Sequence, residues 1–337
     1  MRPRLAALAL AALLAACGKT TTDPEPTLTF VPVAGMNCAD GSSTGLGVSR
    51  GSAEVLLYLS PGGACWSLGS CDASPGPFRA ADLALAEQVA LRGSILDRQL
   101  AGNPFARWTL VVVPYCTGDV HAGDSVQTYG AQVWRHRGHA NVDAAVAWID
   151  ANLPRPTRIV VAGSSAGGFG ALLAYDIVRS RWPSGSVPAV SAGLVDDSGP
   201  TFDPPALPTA LTYAWWDAWN LASTVTPLCP GCKDQLSALW PTLSGKYPGD
   251  LMGLLSTTAD ATMRGFFGNL TGFEFEQALS DLAGKIEPLG NAKTFRTVGT
   301  GHALLLSPAS YSAPGRSLLS WLDPIAVGTG AFASAGP

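Results

Sequence analysis

The sequence predicts an α/β fold, a mostly parallel central sheet flanked by helices, with a cap-like insertion. Three observations carry that prediction. Short apolar runs recur at 55–59, 110–113, 158–162, 189–195, 251–255 and 294–298, and continuous runs of this kind suit strands buried on both faces of a parallel sheet. Stretches of helical spacing separate several of them, notably 80–100 and 140–152, the latter with Val142, Ala145, Val146 and Ile149 on one face. One run, Val160-Val161-Ala162, passes into Gly163-Ser164-Ser165-Ala166-Gly167-Gly168 and then into a small-residue helical pattern.

Length and composition bound what such a fold can be. The chain has 337 residues, of which 47% are hydrophobic and 14% charged, so it can bury a large core. A net charge of −4 provides no basic footprint for nucleic acid. With 38 Gly and 26 Pro the chain is enriched in both, short of the level that signals disorder.

The N-terminus reads as an export signal. Arg2 and Arg4 precede an apolar run, 5–16, too short to span a bilayer, and it ends in Leu14-Ala15-Ala16-Cys17. That ending resembles a bacterial lipobox, which makes Cys17 the expected lipidation site and mature N-terminus, with 1–17 as the signal. Residues 18–27, rich in Thr and Pro, are then a flexible tether. The expected address is the outer membrane or cell surface, with simple secretion as the alternative. A catalytic domain over 28–325 and a C-terminal tail over 326–337 complete the division.

Six cysteines remain after Cys17, an even number suited to an oxidising compartment. Fifteen pairings are possible. Proximity along the chain suggests Cys65 with Cys71 and Cys229 with Cys232, leaving Cys38 and Cys116 for each other. No second close ligand pair accompanies Cys229-Pro-Gly-Cys232, so no metal site is expected.

Gly163-Ser164-Ser165-Ala166-Gly167 has the pattern of a nucleophile elbow. Glycines on both sides permit the sharp strand-to-helix turn that presents a serine oxygen above the sheet. A serine nucleophile needs a base within hydrogen-bond reach and an acid to orient that base. Of the four histidines, His302 follows the last strand candidate, whereas His121, His136 and His139 all precede the elbow and read as loop anchors. The acid must then lie between Ser165 and His302. Asp260, after the second strand beyond the elbow, is preferred over Asp197, which ends the first. Backbone donors for an oxyanion are expected from Ala166 and from the loop after the first strand candidate, where Pro61-Gly62-Gly63-Ala64-Cys65-Trp66 supplies a glycine pair. The segment 199–248, with several tryptophans and the CPGC pair, reads as the cap. Trp66, Trp215, Trp216 and Trp219 are candidate pocket residues, although such rings also serve as a cap's own core.

Four motifs in order, Gly62-Gly63-Ala64-Cys65-Trp66, Pro114-Tyr115-Cys116-Thr117-Gly118-Asp119-Val120, the elbow and Gly301-His302, resemble the pectin acetylesterase and Notum family of serine α/β hydrolases. The similarity covers most of 35–322. It implies the α/β-hydrolase fold and carboxylester hydrolysis, with Ser165 as nucleophile, His302 as base, Asp260 as acid, Gly63, Ala64 and Ala166 as oxyanion donors, and no cofactor. Ala64 stands where Notum has tryptophan, and 199–248 shows no assignable match, so acyl and sugar specificity do not carry over. An acetylated polysaccharide is the expected substrate, with a lipid acyl ester or acylated protein as the alternative. A surface binding protein that has lost catalysis on the same fold is the reading from another class. No other partner is called for, and the chain is read as a monomer attached to the membrane through its N-terminal lipid.

Overall fold

The computed structural model describes residues 27–72, 79–89 and 91–337. The signal-like segment, Cys17 and all of the tether except Thr27 lie outside the described residues. The fold is built on eight strands: β1 (Thr29–Asn37), β2 (Ser43–Ser49), β3 (Glu54–Leu59), β4 (Thr109–Val113), β7 (Arg158–Ser164), β8 (Ser191–Asp197), β9 (Leu251–Thr257) and β10 (Ala292–Thr297), with β5 (Ser125–Tyr129) and β6 (Gln132–His136) as a separate hairpin. The order across the sheet is β1-β2-β4-β3-β7-β8-β9-β10. From β4 to β10 every neighbour is parallel, while β1 and β2 join antiparallel at one edge.

The parallel strands are buried on both sides because their residues alternate between two cores. Leu57, Leu59, Val111, Val113, Val161 and Leu194 face one; Leu56, Tyr58, Leu110, Val112, Val160 and Val195 face the other. Helices cover each side. The helices are α1 (Leu68–Cys71), α2 (Ala80–Val89), α3 (Gly138–Asn152), α4 (Ala166–Leu173), α5 (Tyr175–Arg181), α6 (Thr209–Trp219), α7 (Leu221–Thr224), α8 (Leu239–Lys246), α9 (Ala261–Phe266), α10 (Gly272–Ile286) and α11 (Leu318–Val327). α3, α4 and α10 bury apolar faces in the first core, and Leu83 of α2 with Leu318, Leu322 and Ile325 of α11 lies in the second.

Several segments depart from the sequence expectation. The helical spacing of 80–100 yields a helix only to Val89. Beyond it Gly93 takes a positive φ of 74° and its N–H bonds to the Asp97 carboxylate, which closes turns in place of a helix. The strand expected at 189–195 runs two residues later and ends on Asp197. The domain boundary expected at 325 falls within α11, and the tail does not stand apart. Ala335 pairs with β10, its N–H donating to Thr294 O and its carbonyl accepting Arg296 N–H, so the tail covers the outer edge of the sheet. Within 199–248, α6, α7 and α8 pack around fully buried Trp219 and Trp240. Among the described residues no helix is long and apolar enough to cross a membrane.

Candidate active site

Ser165 sits between β7 and α4 with φ 58° and ψ −119°, a strained backbone for a residue with a side chain. Its neighbours make the turn possible. A Cβ on Gly163 would collide with the carbonyl oxygen of Gly167, and one on Gly167 with that of Leu59, so both must be glycine for the turn to close over β3. The Ser165 N–H donates to the carbonyl of Asp197 at 2.7 Å, and the hydroxyl does not cap the helix it begins.

Ser165 lines a pocket with Gly63, Ala64, Val120, Ala166, Phe169, Trp215, Met263, Phe266 and Phe267. The three residues expected to offer oxyanion donors thus share a cavity with the serine. Gly63 has φ 78°, open to glycine and strained for others. The cavity encloses about 300 Å³ with its open mouth, and it is narrow: the centre of a water-sized sphere has only about 20 Å³ in which to move.

Three disulfides join Cys38 to Cys116, Cys65 to Cys71 and Cys229 to Cys232. The 60–66 loop is held from several sides besides. Cys65 N–H donates to Gly118 O at 2.8 Å, and the Trp219 indole N–H to Cys65 O at 2.7 Å. A Cβ on Gly62 would collide with the Tyr115 ring, and His121 Nε2 lies 2.9 Å from Ser60 O. The Pro114–Val120 motif is therefore the bed of this loop. Asp119 fastens the motif to α3 by accepting from Gly138 N–H at 2.7 Å and from the Thr117 hydroxyl at 2.6 Å. His136 Nδ1 bonds to Thr117 O at 2.8 Å. Sequence alone assigned this motif no task, because its partners stand 15 or more residues away in the chain.

These buried anchors carry a pH consequence. Burial pushes His121 and His136 down to about 4 and Asp119 up to about 6. The histidines stay neutral in the fold and take up protons on unfolding, so stability that is full above pH 6.5 is lost as the pH falls toward 4. Asp119 offsets part of this, since the fold binds its proton below pH 6 before the unfolded chain does. We expect these three groups together to give a net loss of stability between pH 7 and 4. Urea melts of wild type and His136→Gln at both pH values check it: the variant should lose less stability on acidification, and an equal loss would contradict it.

His302 Nδ1 lies 2.7 Å from Asp260 Oδ2. Asp260 is fully buried and the His302 side chain is 19% exposed. The other Asp260 oxygen caps α9, accepting Thr262 N–H at 2.9 Å and Met263 N–H at 3.0 Å. Asp197, the competing acid, does not face the imidazole. Its carboxylate accepts from Ser164, Ser198, Leu304 and Leu305.

Of the four candidate pocket tryptophans, Trp215 lines the cavity. Trp219 stacks behind it at 5.3 Å and Trp66 meets it edge-on at 6.0 Å. Trp216 is turned away, its indole N–H donating to Thr226 Oγ1. Both readings offered for these rings therefore occur: Trp215 faces the cavity, while Trp219 and Trp66 back it and Trp216 packs elsewhere, because neighbouring positions on one helix turn point in different directions. Met263, Phe266 and Phe267 went unrecognised in the sequence, because α9 is a six-residue helix with no periodic signal. Their place just after Asp260 was the available clue. Among the described residues one group brings three potential metal-ligand atoms together, Cys65, Cys71 and His136, and its two sulfurs are bonded to each other.

A parallel sheet wrapped by helices, with a strained serine turn after a central strand and a histidine on a loop after the last strand, defines an α/β-hydrolase-type fold. A crystal structure of the Wnt deacylase Notum from Drosophila superposes with a TM-score of 0.67 at 21% identity, covering 92% of this chain and 96% of that one. A model of the pectinacetylesterase family matches residues 20–236. The chain belongs to the pectinacetylesterase family. It is 32% identical over 197 residues to palmitoleoyl-protein carboxylesterase notum1 of Xenopus laevis, covering 56% of this chain and 40% of that protein. It is also 29% identical over 174 residues to pectin acetylesterase 4 of Arabidopsis thaliana, covering 47% and 41%. The chain spans less than half the length of these curated relatives.

Proposed function

We propose that this protein is an extracytoplasmic serine carboxylesterase that removes acetyl groups from a polysaccharide. The observation that carries the reading is a serine on a strained elbow inside a nearly filled apolar pocket, between two backbone segments suited to an oxyanion. Ser165 Oγ attacks the ester carbonyl while His302 Nε2 takes its proton, and Asp260 stabilises the imidazolium through Nδ1. The oxyanion develops against the N–H groups of Ala166 and the 63–64 segment. His302 then protonates the departing alcohol oxygen, leaving an acetyl ester on Ser165. Water, deprotonated by His302, hydrolyses that ester and frees acetate and the serine.

The choice of acetyl follows from space. The narrow cavity beside Ser165, walled by Phe169, Trp215, Phe266 and Phe267, suits a group of methyl size better than a long acyl chain. Pectin acetylesterase 4 of Arabidopsis points the same way, and Notum, named for palmitoleoyl-protein substrates, the other. On p-nitrophenyl esters we expect kcat/KM to fall at least about tenfold from acetate to butyrate. Phe266, half-buried on α9 with its ring tip over Gly63, closes the pocket, so Phe266→Ala should raise butyrate and hexanoate turnover relative to acetate. Release of acetate from acetylated pectin tests the alcohol side. A wild-type preference for octanoate would favour the deacylase alternative.

Three disulfides fit an oxidising compartment. From the sequence of the first 27 residues we propose export and anchoring through lipidated Cys17. Cys17→Ser should move the protein from the membrane to the soluble fraction, and unchanged partitioning would remove the anchor.

A further inference from the structure

Several buried carboxylates take no part in the mechanism, and one of them, Asp197, adjoins the elbow. Asp197 ends β8 opposite Ser164 of β7 and is fully buried. Its carbonyl accepts the Ser165 N–H at 2.7 Å. Its Oδ2 accepts the Ser164 hydroxyl at 2.6 Å and Leu305 N–H at 2.8 Å; its Oδ1 accepts the Ser198 hydroxyl and Leu304 N–H, each at 2.9 Å. Ser198 Oγ in turn accepts Ala303 N–H at 3.0 Å, and the Tyr58 hydroxyl donates to Ser164 Oγ at 2.9 Å. Three consecutive N–H groups, those directly after His302, therefore end on residues 197 and 198, and the N–H of the elbow ends on 197 as well. Three non-glycine residues with positive φ meet here: Ser165 at 58°, Ser198 at 60° and Ala303 at 59°. Such backbones persist only where their surroundings over-determine them.

We propose that Asp197 is the positioning residue of the Ser165–His302 pair, clamping the elbow through its main chain and the base loop through its carboxylate. Asp260 orients the imidazole; Asp197 sets where the loop carrying it stands relative to the serine. The assignment rests on the esterase reading. Its chemistry is specific to a carboxylate, because each oxygen receives one main-chain N–H, and a main-chain N–H cannot reverse its role. An asparagine amide, whichever way it is flipped, presents its NH2 to Leu304 or Leu305 and leaves that donor without an acceptor.

The test compares wild type, Asp197→Asn and Ser198→Ala by fluorophosphonate labelling, reading amplitude and rate separately, beside p-nitrophenyl acetate kinetics and circular dichroism. Asp197→Asn should label to full amplitude about 100-fold more slowly, with kcat reduced alike and KM unchanged, as a displaced reacting pair requires. Ser198→Ala should show the same pattern at about tenfold. A purely structural role gives the opposite signature, reduced amplitude with a wild-type rate constant in the molecules that remain folded, and that overturns the proposal. Should Asp197→Asn not fold, Ser198→Ala decides: slowed labelling at full amplitude supports the clamp, and a wild-type rate refutes it. Wild-type protein that neither labels nor hydrolyses removes the esterase reading, and this proposal with it.

Discussion

Ser165→Ala should lower kcat on p-nitrophenyl acetate by about 10⁵- to 10⁶-fold and abolish fluorophosphonate labelling, the scale on which a nucleophile's loss is felt when base and oxyanion donors remain. The protein should stay folded. The Ser165 hydroxyl does not cap α4, and the strained turn is held by main-chain contacts that alanine keeps, Ser165 N–H to Asp197 O and Gly168 N–H to Ser165 O at 2.9 Å. Melting temperature and circular dichroism check the fold. Hydrolysis within a factor of ten of wild type would end the assignment of Ser165 and restore the reading of a fold that has lost catalysis.

Asp260→Asn should lower kcat by about 10⁴-fold with little change in KM. Asparagine caps a helix as well as aspartate, so Thr262 N–H and Met263 N–H keep their acceptor on Oδ1. The other side is where the loss falls. An amide NH2 in place of Oδ2 faces His302 Nδ1 as a donor, which favours the tautomer with its proton on Nε2, the atom that must accept from serine. Asp260→Ala should lose the cap as well, adding about 1 kcal/mol of destabilisation. A kcat within tenfold of wild type for folded Asp260→Asn would transfer the acid role elsewhere. The two aspartate substitutions are separable in the same assay, since a changed tautomer and a displaced loop differ by about 100-fold.

On the proposed mechanism, Asp260 would also join specificity to catalysis. One oxygen fixes the imidazole and the other starts α9, which with the next residue carries Met263, Phe266 and Phe267 into the pocket wall. The wall is thus hung from the residue that bonds His302, and substitutions in α9 are best judged by the ratio of acyl substrates as well as by rate.

What the sequence by itself determined is what local chemistry encodes. Apolar runs marked five of the parallel strands to within a few residues, because burial on both faces fills their middles with apolar side chains, while β10, with Lys293 and Arg296 half-buried at the sheet edge, was marked only by the mixed stretch 294–298. The glycines around Ser165 announced a turn that only they permit. β1 and β2 escaped notice, since β1 mixes exposed and half-exposed positions at the sheet edge and β2, though buried, is mostly Ser, Thr and Gly. Tertiary structure alone decided which aspartate meets His302. Asp197 and Asp260 both follow apolar strands, and what separates them is that N–H groups 304 and 305 arrive at one carboxylate and an imidazole at the other. It decided equally that Trp215, and not Trp216 or Trp219, reaches the cavity, and that Phe266 and Phe267 join it. Contacts of this kind depend on where distant segments pack, and no spacing along the chain records that.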